Sequence, residues 1–104
     1  MGFSLLGCFL VIRLGKSSVF DKYAQQFRKG NLKVSLSSIY AIQLLTEFVE
    51  NSGNSGGSFY SYELNLVLQS GERINVMDHG VKSLIEQDAI VLSRFLKVPV
   101  WNTL

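Results

Sequence analysis

Apolar and polar residues alternate through the second half of this chain, and then the period lengthens. Leu64, Leu66 and Leu68 fall on one side of a run in which Glu63 and Asn65 fall on the other. Ile74 and Val76 repeat the pattern against Arg73 and Asn75. Ser70-Gly71 between the two runs is a tight-turn signal, so these residues predict an antiparallel hairpin. After Asp78-His79-Gly80 the spacing becomes helical. Val81, Leu84, Ile85, Asp88, Ala89, Leu92, Phe95 and Leu96 share one side, with Asp88 the polar exception. Lys82, Glu86, Ser93 and Arg94 populate the other side. Lys97 suits a helix C-terminus. Pro99 stops the helix, and Val98 before it is pushed toward extended geometry. Trp101 then reads as an apolar plug against the last helical turn or, alternatively, as an exposed tail aromatic available to an interface.

The first half has strand signals as well. Phe3 to Leu14 is rich in Phe, Leu, Val and Ile and ends at the turn Gly15-Lys16-Ser17-Ser18. Val19–Tyr23 and Gln25–Arg28 predict two short strands, and Lys29-Gly30-Asn31 the next turn. Leu32, Val34 and Leu36 then alternate with Asn31, Lys33 and Ser35. Ser37 to Glu50 carries two patterns at once. Ile39, Ile42, Leu45 and Val49 lie near helical spacing behind a capping serine. Tyr40, Ile42, Leu44, Thr46 and Phe48 alternate as a strand would. Periodicity alone leaves both open. Asn51 to Ser58, all Asn, Ser and Gly, is a loop joining two strands.

Strands first, one helix last and no alternation of the two predict a mostly-β α+β domain with an antiparallel sheet. A chain of 104 residues makes a single domain, residues 1–104, with one core. Hydrophobic residues make up 47% and charged residues 17%, which argues against disorder and leaves apolar surface to be covered by another molecule. A net charge of +2 is too small for a dedicated nucleic-acid binder. One cysteine, Cys8, forms no intrachain disulfide and fits a reducing compartment. Gly2 to Ile12 is apolar but too short to span a bilayer as a helix, and it lacks the basic start of a signal peptide. Leu5-Leu6-Gly7-Cys8 has the look of a lipobox, but its cysteine comes too early in the chain for one. A buried strand is the expectation there.

Several stretches together resemble a known group. They are Val19-Phe20-Asp21-Lys22, Gln26-Phe27-Arg28-Lys29-Gly30 and Ile39 to Leu44, followed by Tyr62 to Leu68, Arg73 to Val76 with Asp78-His79-Gly80, and Phe95 to Trp101. This pattern resembles the soluble part of uncharacterised bacterial membrane-associated proteins, which looks like a bacterial pleckstrin-homology domain. The resemblance covers about residues 10 to 104 and is loosest over the first thirty. It implies an antiparallel barrel or sandwich of about seven strands closed by one C-terminal helix, and it turns Tyr40 to Glu50 from an open question into a strand. It also implies relatives with upstream transmembrane spans. It supplies no activity, substrate or functional residue.

The candidate chemistry is sparse. His79 beside Asp78 could be a base oriented by a carboxylate, but no nucleophile is singled out to complete a triad. The same residues serve equally as a joint, with Asp78 near the free N–H groups of the helix start and Gly80 turning the chain. One histidine and one cysteine do not make a zinc site. Glu47, Glu50, Glu63 and Glu72 could pair for acid–base work, although sheet faces commonly carry solvated acids. No catalytic, cofactor-binding or metal-binding residue is therefore expected.

The basic residues are the better lead. Arg13, Lys16, Lys22, Arg28, Lys29 and Lys33 lie close together, offset by Asp21 alone, and every other acid comes later. In a pleckstrin-homology-like fold this region could face an anionic membrane, with Arg13, Lys16, Lys22, Arg28 and Lys29 as contacts. The bland alternative is lysine placed on edge strands against aggregation. The expected function is a non-enzymatic interaction module, in the cytoplasm or at the cytoplasmic face of a bacterial inner membrane. Its partner would be an anionic surface or a protein. The alternative is a small oligomeric scaffold, a homo-oligomer without a lipid role.

Overall fold

A computed structural model describes residues 10–50 and 58–104. The start of the expected first strand, Cys8 and nearly all of the Asn/Ser/Gly loop lie outside these residues. Eight strands and one helix follow in chain order: β1 Val11–Leu14, β2 Ser18–Asp21, β3 Gln26–Lys29, β4 Leu32–Ser35, β5 Ile39–Glu50, β6 Ser58–Leu68, β7 Arg73–His79, α1 Lys82–Leu96 and β8 Val100–Asn102. They form two four-stranded sheets, ordered β1-β2-β3-β4 and β7-β6-β5-β8. The expected class holds: mostly β, with one helix near the C-terminus. The strand count is one higher than expected, and no strand pairing among the described residues joins the two sheets into a barrel.

The small sheet is a meander built by its turns. Asp21 ends β2 because its Oδ1 accepts the N–H of Ala24 at 3.1 Å, folding Lys22–Gln25 into a turn. That is why the strand stops short of Tyr23. Gly30, at φ +59°, takes the left-handed conformation that the two-residue β3–β4 turn requires. Register puts Ile12, Phe20, Phe27 and Val34 in one row across all four strands. Phe20 and Phe27 are fully buried, and their rings meet at 4.7 Å.

The stretch that periodicity left open is strand β5, preceded by a single 3-10 turn at Leu36–Ser38. Two facts decide it. β5 pairs along its length with β6, and its Ala41, Ile42, Gln43 and Leu44 are all buried, so the middle of the strand is covered on both faces. A strand buried on both faces loses its clean alternation, and that blurred the sequence signal. Tyr40 is an extra residue at a bulge in the pairing.

The β6–β7 hairpin forms as the alternation predicts, with Gly71 at φ +94° in the turn. Leu64, Leu66, Leu68, Ile74 and Val76 face inward. Helix α1 covers them with Ile85, Ala89, Leu92 and Phe95. The buried stripe is narrower than the predicted one, since Val81 and Leu84 are exposed. Residues of both sheets and the helix join one buried cluster.

Two joints differ from expectation. Asp78 does not cap the helix. Val81 occupies the N-cap position without a side-chain hydrogen bond, and its N–H is instead donated to Nδ1 of His79 at 2.9 Å. The Asp78 carboxylate accepts from Asn75, whose amide lies on the same sheet face. Trp101 does not plug the last turn. It belongs to β8, which runs parallel to β5, and its ring meets Tyr40 edge-on at 5.9 Å. The helix ends at Lys97, which is left-handed at φ 60°, and the chain doubles back beside β5.

Candidate functional site

The outer face of the small sheet is basic. Arg13, Val19, Arg28 and Lys33 are register partners, so their side chains form one row across β1, β2, β3 and β4. Alternation forces this arrangement. With Phe20 and Phe27 fixed inside, the neighbouring positions must point out. Lys16 sits exposed in the β1–β2 turn. The one acid on this face is Asp21, whose Oδ2 lies 3.5 Å from Nη1 of Arg28. Its carboxyl is held below the ordinary aspartate value, first by the Ala24 N–H and further by the N–H of Tyr23 and by Arg28, with partial desolvation acting the other way.

Two of the five residues expected to contact an anionic surface turn elsewhere. Lys29 lies on the inner side and reaches the large sheet, donating from Nζ to the carbonyls of Asn75 and Val76 at 3.1 Å each. Ser18 donates to the same Val76 carbonyl at 3.2 Å. Between them they satisfy backbone oxygens on the unpaired edge of β7. Lys22 places its ammonium 4.7 Å from the centre of the Phe95 ring, a cation–π contact. It lines a cleft of roughly 310 Å³ together with Gln25, Leu36, Ser37, Phe95, Leu96 and Lys97. Lys33, part of the basic cluster but not among the five, completes the outer row. The β-strand period around Phe27 and Val34 would have found it.

The outer face of the large sheet is acidic and rich in amides. Register aligns Trp101, Gln43, Asn65 and Asn75 in one row across β8, β5, β6 and β7. Asn75 Nδ2 donates to Asn65 Oδ1 and to Asp78 Oδ1, both at 3.0 Å, and Asn65 Nδ2 donates to Glu63 Oε1 at 3.3 Å. Glu47 lies beside Glu63. Its carboxyl is raised above the ordinary glutamate value, first by the hydrogen bond and charge of Glu63, then by desolvation and the charge of Asp78. Thus two of the four glutamates considered for acid–base work do meet. Glu72 is exposed in the β6–β7 turn, and the side chain of Glu50 is outside the described set.

His79 has no part in either face's chemistry: its Nδ1 holds the helix start, and Asp78 bonds to Asn75. Among the described residues no three His, Cys, Asp or Glu side chains are grouped to hold a metal ion. No helix among them is long and apolar enough to cross a membrane. Compared with protein-family models, curated proteins and solved structures, the chain matches none of them.

Proposed function

We propose that this chain is a non-enzymatic, pleckstrin-homology-like interaction module that meets an anionic membrane surface through the outer face of its small sheet. The observation that carries the reading is the row Arg13–Val19–Arg28–Lys33, with Lys16 in the adjoining turn. Each basic residue near such a surface contributes about 1 kcal/mol, and they add when they share one face. The two-sheet order with a helix after the last antiparallel strand suits the pleckstrin-homology-like architecture, with β8 as an addition.

Co-sedimentation with vesicles of mixed neutral and anionic lipid tests it. Reversal of charge at Arg13 and Arg28 together should cut binding more than about tenfold, and raised salt should weaken the parent protein. The same reversal at Lys16 and Arg28 should act in the same direction. Equal binding by the parent and reversed proteins, or none by the parent, overturns the reading.

A second reading, the oligomeric scaffold, draws on apolar surface left uncovered. Phe48 and Tyr60, paired across β5 and β6 at 5.3 Å between ring centres, are both more than half exposed. Aromatic residues are enriched in protein interfaces. Sedimentation at two protein concentrations decides it, and a monomer at both removes it.

A further inference from the structure

A cleft of roughly 310 Å³ opens where the turn after β2 meets the end of helix α1. That volume is at the lower end of the range for small-molecule sites. Leu36, Phe95 and Leu96 give it an apolar lining. Lys22 lines it from the turn and Lys97 from the helix end. No carboxylate among the described residues lines it, because Asp21, the neighbour of Lys22, turns to the Ala24 N–H and to Arg28. Among the described residues neither lysine forms an ion pair.

The backbone supplies a second observation. Among the described residues, Gln25 at φ 54° and Lys97 at φ 60° are the non-glycine positions in the left-handed region, and both line this cleft. Glycine adopts that conformation more readily, so each side chain is carried at a cost in stability. Strain of this kind gathers at ligand sites. The walls are also tied down. The Gln25 carbonyl accepts the Leu36 N–H at 3.0 Å, and the Gln25 amide donates to the Lys22 carbonyl at 2.9 Å. At the helix end the Lys97 N–H donates to the Ser93 carbonyl at 2.7 Å, and the Ser93 hydroxyl donates to the Val98 carbonyl at 2.6 Å. A cleft with fixed walls loses little freedom on binding.

Charge selects the ligand. Two ammonium groups outweigh the partial negative charge of the helix end, which is about half an elementary charge, so the cleft favours an anion. Lysine meets phosphate as a point charge, and a phosphate monoester carries close to two negative charges at neutral pH, matching two lysines where a carboxylate matches one. We infer that the cleft binds an organic phosphate monoester, with the phosphate held by Lys22 and Lys97 and the apolar body on Leu36, Phe95 and Leu96. The Lys22 ammonium lies 4.7 Å from the centre of the Phe95 ring, so charge and apolar surface adjoin there. The cleft is apart from the outer row of the small sheet, so it stands or falls without the membrane reading.

Isothermal titration calorimetry of the full chain with phenyl phosphate, in a phosphate-free buffer at low salt, tests it. Saturable binding at one site per chain is expected. It should be tighter than that of benzoate, which lacks the second charge, and than that of inorganic phosphate, which lacks the apolar body. Lys22→Met keeps a side chain against the Phe95 ring and should weaken binding about tenfold. Lys97→Gly relieves the left-handed residue, so it should unfold at higher urea and yet bind about tenfold more weakly, a loss that unfolding cannot produce. Charge reversal at Arg13 and Arg28 should leave phenyl phosphate binding near that of the parent. With that reversed protein, vesicles of phosphatidic acid that compete with phenyl phosphate would mark a lipid source of the ester, and vesicles that do not compete a soluble one. No binding by the parent, equal binding of benzoate or inorganic phosphate, or undiminished binding by Lys22→Met and Lys97→Gly overturns the inference.

Discussion

The two sheets carry opposite charge on their outer faces. The small one shows Arg13, Arg28 and Lys33 against Asp21; the large one shows Glu47, Glu63 and Asp78 against Arg73. Both faces arise by the same rule, alternation away from a shared apolar core. They differ in polar wiring. The acidic face is knit together by amides, from Asp78 through Asn75 and Asn65 to Glu63. Among the described residues the basic face has a single ion pair. On the large sheet the polar groups hold one another in place, whereas on the small sheet the ion pair seen among the described residues is that of Arg28 with Asp21. The separation in space mirrors a separation in sequence, because each sheet is built largely from contiguous chain.

The largest expected effect concerns what the two sheets share. Phe27→Ala, in the small sheet, should destabilise the whole protein by about 3–5 kcal/mol, since the side chain is fully buried in the common cluster. Urea unfolding should remain a single transition by both fluorescence and circular dichroism. Two separated transitions would show that the sheets fold independently.

Lys29→Met distinguishes a structural cation from a surface one. Its loss leaves the Asn75 and Val76 carbonyls with fewer donors and should cost about 1 kcal/mol in urea unfolding. Vesicle binding should stay near that of the parent, in contrast to reversal at Arg28. A loss of vesicle binding equal to that of Arg28 would return Lys29 to the contact face.

Val81→Ser gives the helix the N-cap side chain it lacks and should add about 1 kcal/mol of stability, read as a higher urea midpoint. No change would mean that the His79 imidazole already supplies what the helix start needs.

Glu47→Gln is the subtlest. The folded carboxyl is raised above its unfolded value by Glu63, so its protonated form is favoured in the folded chain. The corresponding stability is present below the unfolded glutamate value and is lost as pH rises through the raised one. Glutamine removes that loss. Thermal unfolding should show the variant slightly more stable than the parent at pH 7, with the gain gone near pH 3. A constant difference at both pH values would exclude repulsion as its source.

Much of the fold was legible in local pattern. The β6–β7 hairpin and helix α1 follow from strict alternation and from helical spacing. β5 was not, since burial on both faces erases the contrast that periodicity needs. β8 was missed because three residues after a proline carry no period, and their pairing with Ile42–Leu44 is a long-range event. The five cations named from sequence split for the same reason: nearness in sequence does not fix the side of a strand until register is known. Lys29 is next to Arg28 and therefore points the opposite way.

Sequence by itself determined the class of the domain, the hairpin, the closing helix and the drift from basic to acidic residues along the chain. These are local properties, set by the period of side chains and by turn residues such as Gly30 and Gly71. Tertiary structure alone decided which cations share a face, that Oε1 of Gln43 is buried without a partner, and that Trp101 joins the sheet with its ring against Tyr40. Each depends on strands distant in the chain pairing in one register, and a shift by one residue would turn every one of those side chains to the other face.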